Sequence, residues 1–226
     1  FQAEDGIRDI VARLVGSEMC IRDSFRRDPE KYTLNTPSGK IEIFSHTIDT
    51  FDYEDCQGHP RWYERAEWLG GERAVNYPLH MMSNQPKTRL HSQYDHASTS
   101  RNNKIRGRER ARLSRSEAEK RGLADGDVIR VYNDRGACLA GLEMSEAIRD
   151  GVLELPTGAW YDPQEIDGEL LEVHGNPNVL TPDIGTSRLA QGCSAHSCLV
   201  EVEKFSGELP DVTVFRQPVT RPLEAP

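Results

Sequence analysis

The alternation of apolar and polar residues sets the first expectations. Thr36-Pro37-Ser38-Gly39-Lys40 is a turn signal, and Ile41-Glu42-Ile43-Phe44 behind it alternates as a strand does. Positions 47–71, with Phe51, Tyr53, Trp62, Tyr63 and Trp68 among Pro, Gly and Asp, read as an irregular linking segment that covers another surface. Tyr77 to Met82 opens a new domain with a strand, and a long polar loop runs from Ser83 to about Arg112. Ser114-Arg115-Ser116-Glu117 fits a capping box, since hydroxyl and carboxylate can satisfy two orphan amides reciprocally. The short helix it starts is expected to stop at Gly122. Asp125-Gly126 then turns the chain into a half-buried strand at Val128–Tyr132, and Asn133–Gly136 closes a hairpin onto Ala137–Leu142. Val152–Leu155 is a further short strand, positions 161–192 read as loop, and Cys198–Glu203 is the last strand. The tail after Phe205 is punctuated by proline and reads as irregular. Several short strands, few short helices and long loops predict a compact β-barrel with α additions, a mainly β fold.

Positions 1–24 do not fit this pattern. Ile-Arg-Asp occurs at 7–9 and again at 21–23 without a structural logic, and the stretch resembles translated sequencing-adapter sequence. Its alternative is a short amphipathic helix through Ile7, Ile10, Val11, Leu14 and Val15. As a foreign segment it is set aside from fold reasoning.

Composition narrows the function classes. The 226 residues carry a formal charge of -9, which argues against general nucleic-acid binding, because phosphate contacts need a basic face. No run approaches the roughly 20 apolar residues that span a bilayer. One basic cluster runs against the net charge: Lys104, Arg106, Arg108, Arg110, Arg112 and Arg115. It is either a solvated loop or a patch facing the phosphates of a cofactor or an acidic partner. The five cysteines are an odd number without a Cys-x-x-Cys pair, so they fit neither a disulfide scaffold nor a zinc ribbon.

Two polar loops could carry chemistry: Ser83 to Gln93, and His174-Gly175-Asn176-Pro177-Asn178. Their amides, hydroxyls, imidazoles and guanidinium suit a large heteroaromatic ligand with ring nitrogens, carbonyls and phosphates. Arg89 could meet a phosphate bidentately. The His and Cys residues, including His91, His96 and His196, do not form a metal set at ligand spacing.

These strings carry a resemblance. Ser38 to Glu42, SNQPKTRLHSQ at 83–93, DGDVIRVYNDRGACLAG at 125–141, TGAWYDP at 157–163 and HGNPNVLTPDIGTSRLAQG at 174–192 resemble the C-terminal region of the dimethyl sulfoxide reductase family. The wording is similar to its trimethylamine N-oxide and biotin or methionine sulfoxide reductase branch, over roughly 25–205. The resemblance implies a double-psi β-barrel at 76–205 that binds molybdopterin guanine dinucleotide. Positions 25–75 would then be the end of the preceding catalytic region with its linker, and 206–226 an irregular tail. Ser83, Arg89, Leu90, His91 and Ser92 would line one pterin or its phosphates, and Asn176, Asn178, Gln191 and Gly192 would contact a dinucleotide from the second loop. Cys193 and His196 are weaker candidates, with packing roles open.

The cofactor implied is molybdenum bis(molybdopterin guanine dinucleotide), and the activity is reduction of S-oxides or N-oxides. The implied partners are a small-molecule oxide, an electron donor, and a missing N-terminal part of the same chain that ligates the metal. Compartment is open, with the resemblance leaning towards the periplasm. Two other readings remain: a non-catalytic double-psi barrel used as a binding module, and another molybdenum enzyme such as a formate dehydrogenase or nitrate reductase.

Overall fold

The computed structural model describes residues 18–194 and 196–217. Most of the stretch 1–24 therefore lies outside the described residues. The chain divides into two compact units, 1–63 and 64–226.

In the first unit, helix α1 spans Glu18–Arg27 and helix α2 spans His46–Asp49, where the Ser45 hydroxyl accepts a hydrogen bond from the Ile48 amide. The expected strand at 41–44 does not form: Ile41 and Ile43 are 72% and 79% exposed. Alternation there has no neighbouring strand to pair with and no core to face, so it carries no structure.

The second unit begins earlier than the expected boundary at 75/76, and the reason is an ion pair. Glu67 is buried, pairs with Arg135 and accepts the Leu199 amide at 2.8 Å, which ties 64–75 to the barrel. Eight strands follow: β1 Leu79–Met82, β2 Arg110–Leu113, β3 Val128–Asn133, β4 Gly136–Met144, β5 Val152–Glu154, β6 Pro163–Ile166, β7 Glu169–Glu172 and β8 Leu199–Lys204. Their order is β2-β5-β1-β8-β3-β4, and β2 also pairs with β4, so six strands close into a double-psi barrel. The β1–β5 and β2–β4 pairs are parallel, and the remaining barrel pairs are antiparallel. Helix α3 (Ser98–Arg101) lies between β1 and β2, and helix α4 (Arg115–Lys120) between β2 and β3.

The barrel interior is filled by Leu79, Met81, Leu113, Ile129, Val131, Leu142, Leu153 and Val200, all at most 2% exposed. β4 is buried on both faces. Cys138, Ala140 and Leu142 point to the barrel core, while Ala137 and Leu139 meet Leu171 and Val173 in a second cluster under the β6–β7 hairpin. Among the described residues no helix is long and apolar enough to cross a membrane.

Three local expectations change. The capping box is half formed: Ser114 Oγ accepts from the Glu117 amide at 3.2 Å, but the Glu117 carboxylate turns to Lys120 and Arg121. The loop expected at 161–192 contains the β6–β7 hairpin, turned by Asp167 and Gly168 with φ of 51° and 82°. An Asp-Gly pair in that left-handed region is a strong hairpin signal. Finally, the strand part of the basic cluster is not free for phosphate. Arg110 pairs with Glu143 at 2.6 Å and Arg112 with Glu143 and Glu154, so β2 is a strand whose guanidiniums are neutralised by carboxylates on β4 and β5.

Gly141 on β4 lies against Ile105, whose side chain a Cβ would overlap. Gly141→Ala is therefore expected to destabilise the protein by about 1–3 kcal/mol through overpacking. Urea unfolding with tryptophan fluorescence measures this, and unchanged stability would show that the Ile105 loop yields freely.

Candidate cofactor-binding site

β1 delivers the first polar loop at Ser83, and two buried charges fix its far half. The Arg89 side chain is fully buried and contacts Asp95 at 3.4 Å, closing the segment between them at its base. Residues 90–94 are all exposed. His91 and Tyr94 hold φ of 49° and 60°, and a bridge links Leu90 to Gln93. Non-glycine residues in that region are costly, and they persist where surrounding contacts over-determine them. One such contact is Gln85, whose amide oxygen accepts from the His91 amide at 3.0 Å while its amide nitrogen donates to His91 Nδ1 at 2.7 Å.

Beneath the loop lies a closed charge network. Lys104 Nζ sits 2.9 Å from Asp95 and 2.8 Å from Glu109, and Arg89 meets Glu109 at 2.9 Å. All four side chains are at most 1% exposed. Two cations balance two carboxylates, the condition under which buried charge is tolerated. Burial alone would raise Asp95, but Lys104, the Trp160 amide and Ser100 outweigh it and hold the carboxyl below its usual range. His174 is also buried, and desolvation followed by Lys104 keeps it below the ordinary histidine value.

The second loop is organised by one carboxylate. Glu172 accepts amide hydrogens from Asp162, His174, Gly175 and Asn176 at 3.2, 3.0, 2.6 and 2.7 Å. Gly175, at φ 97°, passes so close to Glu109 that a Cβ would stand 2.6 Å from that residue's own Cβ. Asn176 accepts from the Asn178 amide and donates to Ala159 O at 2.9 Å.

A short segment, 157–160, joins the two loops. Thr157 donates its amide to Asn84 O at 3.0 Å and its carbonyl accepts from Arg89 at 2.9 Å. Gly158 (φ 90°) crosses directly over the His91 carbonyl, where a Cβ has no room. Trp160 Nε1 donates to Ser92 O at 2.7 Å, the Trp160 amide donates to Asp95 at 3.0 Å, and Trp160 O lies 2.8 Å from His174 Nδ1.

The residues expected from the sequence thus take different places. Leu90, His91 and Ser92 stand exposed on the first loop, Ser83 is half-buried at its root, and Asn178 is exposed on the second. Arg89 is corrected: its nitrogens are occupied by His91 O, Ser100, Thr157 O and Glu109, so the fork holds the loop and is not offered to a phosphate. Asn176, 9% exposed, likewise ties its loop to Ala159. Gln191 and Gly192 lie on a separate exposed hairpin, where Gln191 bonds Ser187 O and Gly192 bonds Thr186. Cys193 bridges Gly185 on that hairpin, and His196 is exposed. Asp95, Glu109 and Glu172 are not marked by the sequence, and Lys104 stands out only as part of the basic cluster, because a charged residue in a polar segment gives no sign of burial. Among the described residues no group of three or more His, Cys, Asp and Glu is placed to hold a metal ion.

The first loop keeps unused polar capacity. Asn84 Oδ1 and Thr88 Oγ1 are buried without a partner. Asn84 also lines a cavity of about 400 Å³, together with Gln85, Lys87, Arg110, Arg112, Glu143 and Glu154. Arg110 and Arg112 are neutralised there by Glu143 and Glu154, which leaves the amides and Lys87 as the groups a polar ligand could meet.

Barrel and loops together define a domain for a dinucleotide-type cofactor. Residues 79–199 match the family described as Molydopterin dinucleotide binding domain, and the chain belongs to that family. It is 47% identical over 207 residues to a trimethylamine-N-oxide reductase of Salmonella typhimurium, covering 89% of this chain and 24% of that protein. It is 48% identical to a biotin sulfoxide reductase of Cereibacter sphaeroides (83% and 25%), and 46% identical to a dimethyl sulfoxide/trimethylamine N-oxide reductase of the same organism (86% and 24%). The chain thus spans about a quarter of the length of these relatives. An acetylene hydratase of Pelobacter acetylenicus shares the fold, with TM-score 0.62 and 21% identity over 79% of this chain and 25% of that one.

Two measurements test the network. Arg89→Ala is expected to lower the stability of the protein by about 3–5 kcal/mol, because it leaves Glu109 and Asp95 short of a buried cation. Normal stability in that variant would return Arg89 to the role of ligand contact.

The second test concerns Glu172, which burial raises from 4.5 to about 7 against the four amides that lower it. The folded protein therefore keeps a proton that the unfolded chain has already lost. Stability should fall as pH rises from about 4.5 to 7, by an amount on the order of 3 kcal/mol, and then level off. His174 acts in the opposite sense on acidification, so the comparison is between wild type and Glu172→Gln. The difference between their pH–stability curves should show this slope, and two parallel curves would refute it.

Proposed function

We infer that this chain is the cofactor-gripping part of a molybdenum oxidoreductase that reduces S-oxides or N-oxides, with the cofactor in its bis(molybdopterin guanine dinucleotide) form. The observation that carries this reading is the joining of loops 83–93 and 174–178 on the 157–160 segment, in a chain whose relatives bear the names of oxide reductases. The unpartnered Asn84 and Thr88 oxygens, with the amide-lined cavity at Asn84 and Lys87, support the fit to such a ligand.

In the working protein, Ser83, His91, Ser92 and Asn178 bind and orient the pterin and nucleotide parts. Arg89, Asp95, Lys104 and Glu109 hold the first loop in one conformation, which lowers the entropy lost on binding. When bound, the molybdenum cofactor supplies the oxygen-atom transfer chemistry, and the protein supplies position and electrostatics. The substrate funnel and the metal's protein ligand belong to the rest of the protein, and the oxide and the electron donor are external partners. The oxide reductase reading is preferred to the non-catalytic barrel because two polar loops tied to one segment exceed what an interaction surface needs.

The test is made on the full-length protein containing this segment, purified from cells supplied with molybdate. Molybdenum and acid-released guanine nucleotide should both copurify, with twice as much nucleotide as metal. Reduced viologen should be consumed on addition of trimethylamine N-oxide or a sulfoxide. Protein free of both metal and nucleotide would sink the reading, and cytosine nucleotide or a one-to-one ratio would sink the bis-guanine form.

A further inference from the structure

The C-terminal segment 210–216, which lies beyond the last strand and reads as an irregular tail, is bound to the back of the joining segment. Asp162 is 4% exposed and accepts from the Thr213 amide, the Thr213 hydroxyl at 2.7 Å and the Val214 amide at 3.2 Å. Arg108 donates to Pro210 O, and Gln164 donates to Asp211 O at 2.7 Å. These bonds deliver one aromatic ring. Phe215 meets Trp160 at 5.8 Å between centroids and stands edge-on to His174 at 5.0 Å, while the Arg101 guanidinium lies over the Phe215 ring, 5.3 Å from its centroid.

Trp160 and His174 are the residues through which the site is assembled. Trp160 holds Ser92 O through Nε1 and Asp95 through its amide, and its carbonyl is bonded to His174. Without Phe215, the indole would lose one of its two ring neighbours and keep His96, at 5.5 Å. Edge-on and tilted aromatic contacts contribute beyond the area they bury, enough to shift a local opening equilibrium several-fold. The segment makes no strand pairing, and the second core cluster is closed by Tyr132, Ile166 and Phe205, all of which precede it. Its loss would therefore spare the barrel.

We propose that segment 210–216 braces the cofactor site, with Phe215 as a positioning residue that holds Trp160 and, through it, the exposed loop 90–94. The nucleotide-retention part of the test rests on the proposed function; the exchange part does not.

The experiment uses the full-length protein as wild type, Phe215→Ala, Phe215→Tyr, and a form ending after Leu209. Hydrogen exchange is followed at the Trp160 and His91 amides, both bonded across the site, and at β3–β4 amides as a reference. Phe215→Ala and the truncated form should speed exchange at Trp160 and His91 at least about five-fold with β3–β4 unchanged. Phe215→Tyr should behave as wild type. Guanine nucleotide retained after gel filtration should fall at least two-fold in the first two and not in the third. Equal acceleration at β3–β4 would show a general packing role and overturn the brace, as would unchanged exchange at Trp160. If wild type retains no nucleotide while the exchange pattern holds, the cofactor reading fails and the brace stands.

Discussion

The constraint on which the rest depends is the enclosure of Arg89, Lys104, Asp95 and Glu109 in one closed set of charges. Each of these ions would be expensive to bury alone, and each is acceptable because two opposite charges meet it. The four residues come from three places: both ends of the 90–94 loop, the turn after α3, and the residue preceding β2. Neutralising the set therefore brings those places together. Asp95 goes further and accepts the Trp160 amide, so the joining segment is recruited by the same charges. The exposed loop is rigid because its base is ionic and buried, not because its own residues favour the conformation. His91 and Tyr94 in the left-handed region show that the base prevails over local preference.

The parts of the fold legible in the sequence are those where pattern and environment agree. Val128–Tyr132 and Ala137–Leu142 alternate between two real cores, and Asn133–Gly136 can only turn. Ile41–Phe44 shows the same alternation and forms nothing, since a period of two identifies a strand only where something pairs with it. β2 was hidden for the opposite reason. Arg110 and Arg112 read as a solvated cluster until Glu143 and Glu154 are placed on neighbouring strands, a fact of long-range register. The β6–β7 hairpin was legible at Asp167-Gly168 and obscured by the Pro, Asp and Asn around it.

The site shows a similar division. Resemblance located both loops, and the chain's family membership agrees with the cofactor type it implied. It could not say which polar residues face outwards. A guanidinium makes the same planar fork to a phosphate as to a carboxylate, so the composition of the first loop is equally compatible with either. Arg89 faces inwards because Asp95 and Glu109 are buried beside it, and neither residue has any local mark of burial.

Glu172 decides what the second loop can offer. Three successive amides, His174 to Asn176, form the kind of concave donor set that commonly holds a phosphate. Here an internal carboxylate fills it, with bonds from all three. Main-chain donors at 174–176 are consequently closed to a ligand, and Asn176 is tied to Ala159 through its side chain. Within 174–178 the polar side chain left exposed is that of Asn178. The first loop, by contrast, has its charges buried and its side chains outside. The two loops contribute unequally: one presents a rigid row of side chains, and the other mainly fixes the geometry against which that row is held.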